Sequence, residues 1–184
     1  VDLSFNPNVT GSIVSQIVVQ ADGKFLIGGG LFSAVGGELR ANIARLHTDG
    51  SVDPSFNPGT DETVSSISVQ SDGKVVIGGG FVTVAGETRN HIARLHADGS
   101  LENTFNTNLN INGAVSAFST LANNKVVIGG GFTEVNGVAR NRVARLNEDG
   151  SLDLTFDPNV NDVVYGTAVQ NDGKIIIIGR FLEV

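Results

Sequence analysis

The sequence predicts an all-β fold: a β-propeller of tandem four-stranded antiparallel blades of about 50 residues, three full and one incomplete. Three observations predict it. Independent landmarks keep one period: Phe5, Phe56, Phe105 and Phe156 are spaced 51, 49 and 51 residues apart, and Arg45, Arg94 and Arg145 are spaced 49 and 51. Ile27, Ile77 and Ile128 follow at 50 and 51, with Ile178 a further 50 on. Asp-Gly pairs, replaced once by Asn123-Asn124, separate apolar runs as two-residue hairpins do, which predicts positive φ at both turn residues. Finally, the run K-V-V-I-G-G-G-F (residues 74–81) is apolar at consecutive positions, which predicts a strand buried on both faces between neighbouring sheets.

The chain divides into repeats at 1–51, 52–100, 101–151 and 152–184, read as one propeller segment over 1–184. Each repeat opens with a strand of V-D-x-S-F-N-P type (1–7, 52–58, 152–158). A second strand of V-S-S-I-S-V-Q type (64–70) leads into the hairpin. The third strand is the run 74–81, where the glycines permit close backbone approach. A loop such as A-G-E-T-R-N follows, then the fourth strand H-I-A-R-L (91–95), closed by Asp98-Gly99-Ser100. Four strands and a sandwiched inner strand favour a blade over a flat β-solenoid, whose coils are shorter.

Composition bounds the function. An apolar fraction of 40% and a charged fraction of 17% describe a globular chain, and 24 glycines fit many tight turns. A net charge of -7 repels phosphate backbones, and Lys24, Lys74, Lys125 and Lys174 fall one per repeat rather than in a stripe, so nucleic acid is not an expected partner. Apolar runs such as 174–179 are far too short for a membrane-spanning helix, and no membrane insertion is expected. The absence of cysteine excludes disulfides, thiolate metal sites and a cysteine nucleophile. Val1 opens in mid-repeat, so a longer native chain is expected, and the fourth repeat stops before its loop and fourth strand.

The segments S-F-N-P (55–58), 68–81 and R-N-x-I-A-R-L-x-x-D-G-S (89–100), recurring at 4–7, 18–32 and 40–51 and again at 140–151 and 153–180, resemble the delta-60 repeat, a β-propeller repeat of bacterial proteins. The resemblance covers almost the whole chain. It implies a module of large secreted or cell-surface proteins, and it implies no catalytic residues.

Candidate chemistry is thin. Asn147, Asp149, Gly150 and Asp153 resemble a short calcium loop, with weaker copies at His96, Asp98, Gly99 and Glu102 and at His47, Asp49, Gly50 and Asp53. The competing and favoured reading is a turn whose Asp caps its own backbone. Arg45, Arg94 and Arg145 share a strand face with Ile43, Ile92 and Val143, so each needs a carboxylate or carbonyl partner in the adjoining D-G-S turn or the next blade. The alternative is a ring of cations facing an anion. Arg40, Arg89 and Arg140, with Asn42, Asn90 and Asn141, are placed to line one face of the propeller. His47, His91 and His96 form no metal triad and read as surface or turn residues. The glycine runs precede no helix and are not phosphate loops. Tyr165, Phe118, Arg142 and Arg180 depart from the repeat without composing an asymmetric catalytic group. No catalytic residue, metal ligand or cofactor site is therefore expected.

The reading that follows is a non-catalytic module binding protein or surface glycan through the loops 33–39, 83–88 and 133–139. The alternatives are a structural spacer or oligomerising element completed by another chain's strand and, third, a propeller hydrolase or lyase supported by fold analogy alone.

Overall fold

The computed structural model describes residues 5–105 and 109–184; residues 1–4 of the first expected strand lie outside them. The described residues form strands and turns only. Blade 1 holds β1 (Val9–Val19), β2 (Phe25–Val35), β3 (Glu38–Leu39) and β4 (Ile43–Leu46). Blade 2 holds β5 (Val64–Val69), β6 (Val75–Gly79), β7 (Thr83–Val84), β8 (Glu87–Thr88) and β9 (Ile92–Leu95). Blade 3 repeats this with β10 (Val115–Thr120), β11 (Val126–Gly130), β12 (Glu134–Val135), β13 (Val138–Ala139) and β14 (Val143–Leu146). Blade 4 contributes β15 (Val164–Val169) and β16 (Ile175–Gly179).

Within a blade the order is β5-β6-β9 or β10-β11-β14, all antiparallel. The leading strands β1, β5, β10 and β15 lie beside one another from blade to blade. Hydrogen bonds tie their side chains across the junctions, Ser68 Oγ to Thr120 Oγ1 at 3.2 Å and Ser119 Oγ to the Thr167 carbonyl at 2.8 Å. The blades form an open array, with one face of blade 1 and one of blade 4 uncovered.

Every residue of β6 and of β11 is buried, as the unbroken apolar runs predict. In β16 the same kind of run is partly exposed, Ile176 at 47% and Ile178 at 63%, because no described blade follows it. Apolar clusters fill the spaces between blades, with Phe56, Phe81, Phe105 and Phe132 at their centres.

The glycine run fixes two close approaches. A Cβ on the second glycine would stand 1.9 Å from the Thr63 carbonyl oxygen at Gly79, 1.9 Å from that of Ile13 at Gly29, and 2.1 Å from that of Ala114 at Gly130. These carbonyls sit where the leading strand bulges, between Val64 and Ser66 in blade 2. The first glycine faces outward to the next blade: at Gly28 a Cβ would lie 2.7 Å from Ile67 Cδ1.

Two expectations are corrected. The segment 52–58 is not a regular strand; it contributes one antiparallel bridge, Leu46 to Val52, repeated as Leu95 to Leu101 and Leu146 to Leu152. The cause is local: Asp53 Oδ1 accepts from the Ser55 backbone N–H at 3.0 Å and its hydroxyl at 2.6 Å, which turns the chain and drops Phe56 into the core. The Asp-Gly turns carry positive φ at the second residue alone, Gly73 at 83° and Asn124 at 59°. The preceding Asp72 instead accepts from the Lys74 N–H. Two consecutive positive φ values occur in the loops after the third strand, at Gly36-Gly37, Ala85-Gly86 and Asn136-Gly137, which close tight hairpins of their own.

Candidate functional site

The most ordered chemistry in the molecule is a charged clasp repeated in blades 1 to 3. Arg45 lies on β4, whose neighbours Ile43, Ala44 and Leu46 are buried, so its guanidinium is held at the outer edge of the core. Its Nε meets Asp53 Oδ2 at 2.9 Å, and Lys24 Nζ meets the same oxygen at 2.8 Å. Arg94 and Lys74 hold Glu102 at 2.5 and 3.3 Å, and Arg145 and Lys125 hold Asp153 at 2.9 and 2.8 Å. Each guanidinium also covers a phenylalanine ring, Arg45 over Phe56 at 4.8 Å, Arg94 over Phe105 at 4.4 Å and Arg145 over Phe156 at 4.7 Å.

The third element of the clasp crosses to the next blade. Arg45 Nη1 donates to the Ala97 carbonyl at 2.5 Å and Arg94 Nη1 to the Glu148 carbonyl at 2.8 Å. Both acceptors immediately precede a D-G-S turn, so this arginine set makes both expected links, one to its own blade's carboxylate and one to the following blade. Arg145 makes no such crossing among the described residues, and its side chain is 23% exposed against 8% and 6% for Arg45 and Arg94.

Paired cations dominate the electrostatics. The hydrogen bond from Arg94, helped by Thr104 and Lys74, holds Glu102 down to about 2. Lys125, Thr155 and Arg145 hold Asp153 well below the ordinary carboxylate range. Burial works to raise Asp53, but the hydrogen bonds from Lys24, Ser55 and Arg45 outweigh it and hold that carboxyl low. All three act as fixed anions.

The calcium-like segments resolve into two separate jobs. Asp49, Asp98 and Asp149 each accept from the hydroxyl of the serine two residues on, at 2.6, 2.6 and 2.7 Å, and from its backbone N–H at 2.9 Å. Asp53, Glu102 and Asp153 are engaged by the clasps. Among the described residues no group of three His, Cys, Asp or Glu side chains converges as metal ligands.

Arg40, Arg89 and Arg140 do not line a face, contrary to expectation. They are only 4%, 6% and 6% exposed. Their guanidiniums reach into the outer turn, Arg40 Nη2 to the Asp53 carbonyl at 3.4 Å, Arg89 Nη2 to Asn103 Oδ1 at 2.6 Å and Arg140 Nη2 to the Leu154 carbonyl at 3.3 Å. Asn42, Asn90 and Asn141 reach toward the following blade, at the Thr60 carbonyl, Asn110 Oδ1 and Asn159 Oδ1. His96 is exposed, while His47 and His91 are half-buried and lie at opposite ends of their strands. Phe118 is buried at a blade junction, Tyr165 is half-exposed, Arg142 donates to the Gly131 carbonyl, and Arg180 pairs with Asp162 at 3.3 Å.

The exposed, non-repeating side chains gather on the hairpins β2–β3, β7–β8 and β12–β13, which carry Glu38 and Leu39, Glu87 and Thr88, and Val138 and Ala139. These hairpins are anchored at their bases: Gly36 N donates to the Pro7 carbonyl at 2.7 Å, Ala85 N to Gly59 at 3.0 Å and Asn136 N to Asn110 at 2.7 Å. Sequence reasoning missed the role of the lysines. The available signal was a lysine in each of the three full repeats followed 28 or 29 residues later by an acid, Lys24 and Asp53, Lys74 and Glu102, Lys125 and Asp153.

Stacked three-stranded antiparallel units with outward links of this kind are β-propeller blades. The family described as a domain of unknown function (DUF5122) β-propeller matches three times, at residues 20–56, 70–105 and 121–156, and the chain belongs to it. Solved propellers share the fold. The WD40 β-propeller domain of Doa1 aligns with TM-score 0.60 and 18% identity over 90% of this chain and 47% of its own. A streptogramin B lyase aligns with TM-score 0.56 and 19% identity over 94% and 50%. An inactive virginiamycin B lyase of Staphylococcus aureus, with quinupristin, aligns with TM-score 0.53 and 19% identity over 96% and 50%. The chain thus spans half or less of each of these. No curated protein matches the sequence significantly.

Proposed function

We propose that the chain is a non-catalytic propeller module, of the delta-60 type, that binds protein or glycan through its hairpin rim and scaffolds a larger bacterial protein at the cell surface or outside the cell. One contrast carries the reading. The charges that recur in blades 1 to 3 are engaged in clasps between elements, whereas the side chains that differ from blade to blade sit on short hairpins with anchored bases. A stiff rim of varied sequence suits recognition without turnover, because little ordering is needed on binding. Surface placement rests on the resemblance.

The test replaces Glu38-Leu39, Glu87-Thr88 and Val138-Ala139 with Ser-Ser, which leaves the blade cores intact. Glycan arrays and immobilised surface proteins are probed with both forms. Binding lost in the variant at unchanged melting temperature supports the rim; ligands bound equally by both forms overturn it. A hydrolase and lyase panel run alongside tests turnover directly, and activity abolished by a single substitution overturns the non-catalytic reading. A second reading, a structural or oligomerising element completed by another chain's strand, is favoured by the uncovered face of β16, where Ile176 is 47% exposed.

A further inference from the structure

Blade 4 departs from the other blades on its outgoing face. The strand registers pair Gln16 with Gly28, Ser66 with Gly78, Ala117 with Gly129 and Gly166 with Ile178. Ile178 therefore stands where blades 1 to 3 carry the first glycine of the run, and Ile177, not Ile178, is the counterpart of Ile128. At every formed junction that glycine is where the next blade docks. A Cβ at Gly28 would lie 2.7 Å from Ile67 Cδ1 and 2.9 Å from Val64 Cγ1. At Gly78 it would lie 3.1 Å from Phe118 Cδ1 and Val115 Cγ1, and at Gly129 2.6 Å from Val164 Cγ1.

Blade 4 keeps the second glycine, Gly179, whose Cβ would meet the Val163 carbonyl oxygen of its own bulge at 2.1 Å. The third glycine is replaced by Arg180. The position that serves the blade itself is retained, and the ones that face outward are not. The incoming face that this chain could offer is that of blade 1. By register Val14 and Ile17 occupy the places of Val64 and Ile67, and they are 39% and 63% exposed.

We propose that Ile178 is a gate residue: it closes the outgoing face of blade 4 to the incoming face of a second copy, so that two open, apolar blade ends do not join head to tail. A glycine there would recreate the formed junctions, with room for Val14 and Ile17. Isoleucine fills that room, and interiors tolerate such overfilling poorly. Head-to-tail contacts that fail to close into a ring grow into filaments, which gives the gate its use.

Sedimentation velocity on the 184-residue chain and on Ile178→Gly, over the same concentration series, tests this. Wild type stays at the 19.1 kDa monomer mass, while the variant sediments at roughly twice that mass or more, rising with concentration. A variant that stays monomeric, or a wild type that associates as strongly, overturns the proposal. Gly129→Ile reads the same exchange at a junction already formed, without asking blade 4 to fold differently. Its melting temperature falls by at least about 5 °C if outward glycine is required; an unchanged melting temperature overturns the proposal as well.

Discussion

At the scale of the residue, the clasp arginines set the energetics. Arg94 pairs with Glu102, covers Phe105 and bonds the next blade's backbone, all while 5% exposed. Arg94→Ala leaves Glu102 with Lys74 alone, and losing one member of a buried pair costs about 3–5 kcal/mol. Arg145→Ala costs less than half as much, because that side chain is more exposed and crosses to no carbonyl among the described residues. Chemical denaturation of the two variants beside wild type checks the ranking. Acid gives a second test. Glu102 is held at about 2 against an ordinary 4.5, so the unfolded chain binds the proton more readily. The stability it contributes is present above 4.5 and lost as pH falls toward 2. Wild type therefore melts at a falling temperature as pH drops through that window. Glu102→Gln melts lower at neutral pH and declines less steeply, which thermal scans across the range measure.

At the scale of the element, the glycine run is three positions with different constraints. Gly79→Ala would drive a Cβ to 1.9 Å from the Thr63 oxygen, backbone that has nowhere to go, whereas nothing lies within 4 Å of a Cβ at Gly80. Gly79→Ala is expected to lose about 3 kcal/mol or more, and Gly80→Ala to stay within about 0.5 kcal/mol, in the same denaturation assay. This division was only partly legible in the sequence. The period, the buried third strand and the need of Arg45, Arg94 and Arg145 for partners could be read because each repeats an unambiguous residue at a fixed distance. The outer strand was misread because V-D-P-S-F has a strand's alternation while Asp53 supplies a turn, a competition decided by one side chain's hydrogen bonds. The place of Ile178 was hidden because four consecutive isoleucines offer no internal mark, and only pairing across to Gly166 fixes the register. Arg40, Arg89 and Arg140 looked like surface residues because a sequence does not show that the turn after β4, β9 or β14 folds back over them.

At the scale of the whole molecule, the array is a row of units each supported by its neighbours. Blade 3 is covered on both sides, while blade 4 offers β15 and β16 with no third strand and an open face. Backbone amides of β15 and β16 are expected to exchange at least about tenfold faster than those of β10 and β11, which hydrogen–deuterium exchange resolves strand by strand. Uniform protection across the four blades would show instead that the array opens as one unit. The crossing bonds from Arg45 and Arg94 end on main-chain carbonyls, those of Ala97 and Glu148. Every residue type owns such a carbonyl, so a blade can change its side chain at that point, from alanine to glutamate, without loosening its hold on the one before. Gene duplication and reshuffling of whole blades would then need no matched substitutions at this contact, and rows of different length could arise by copying alone.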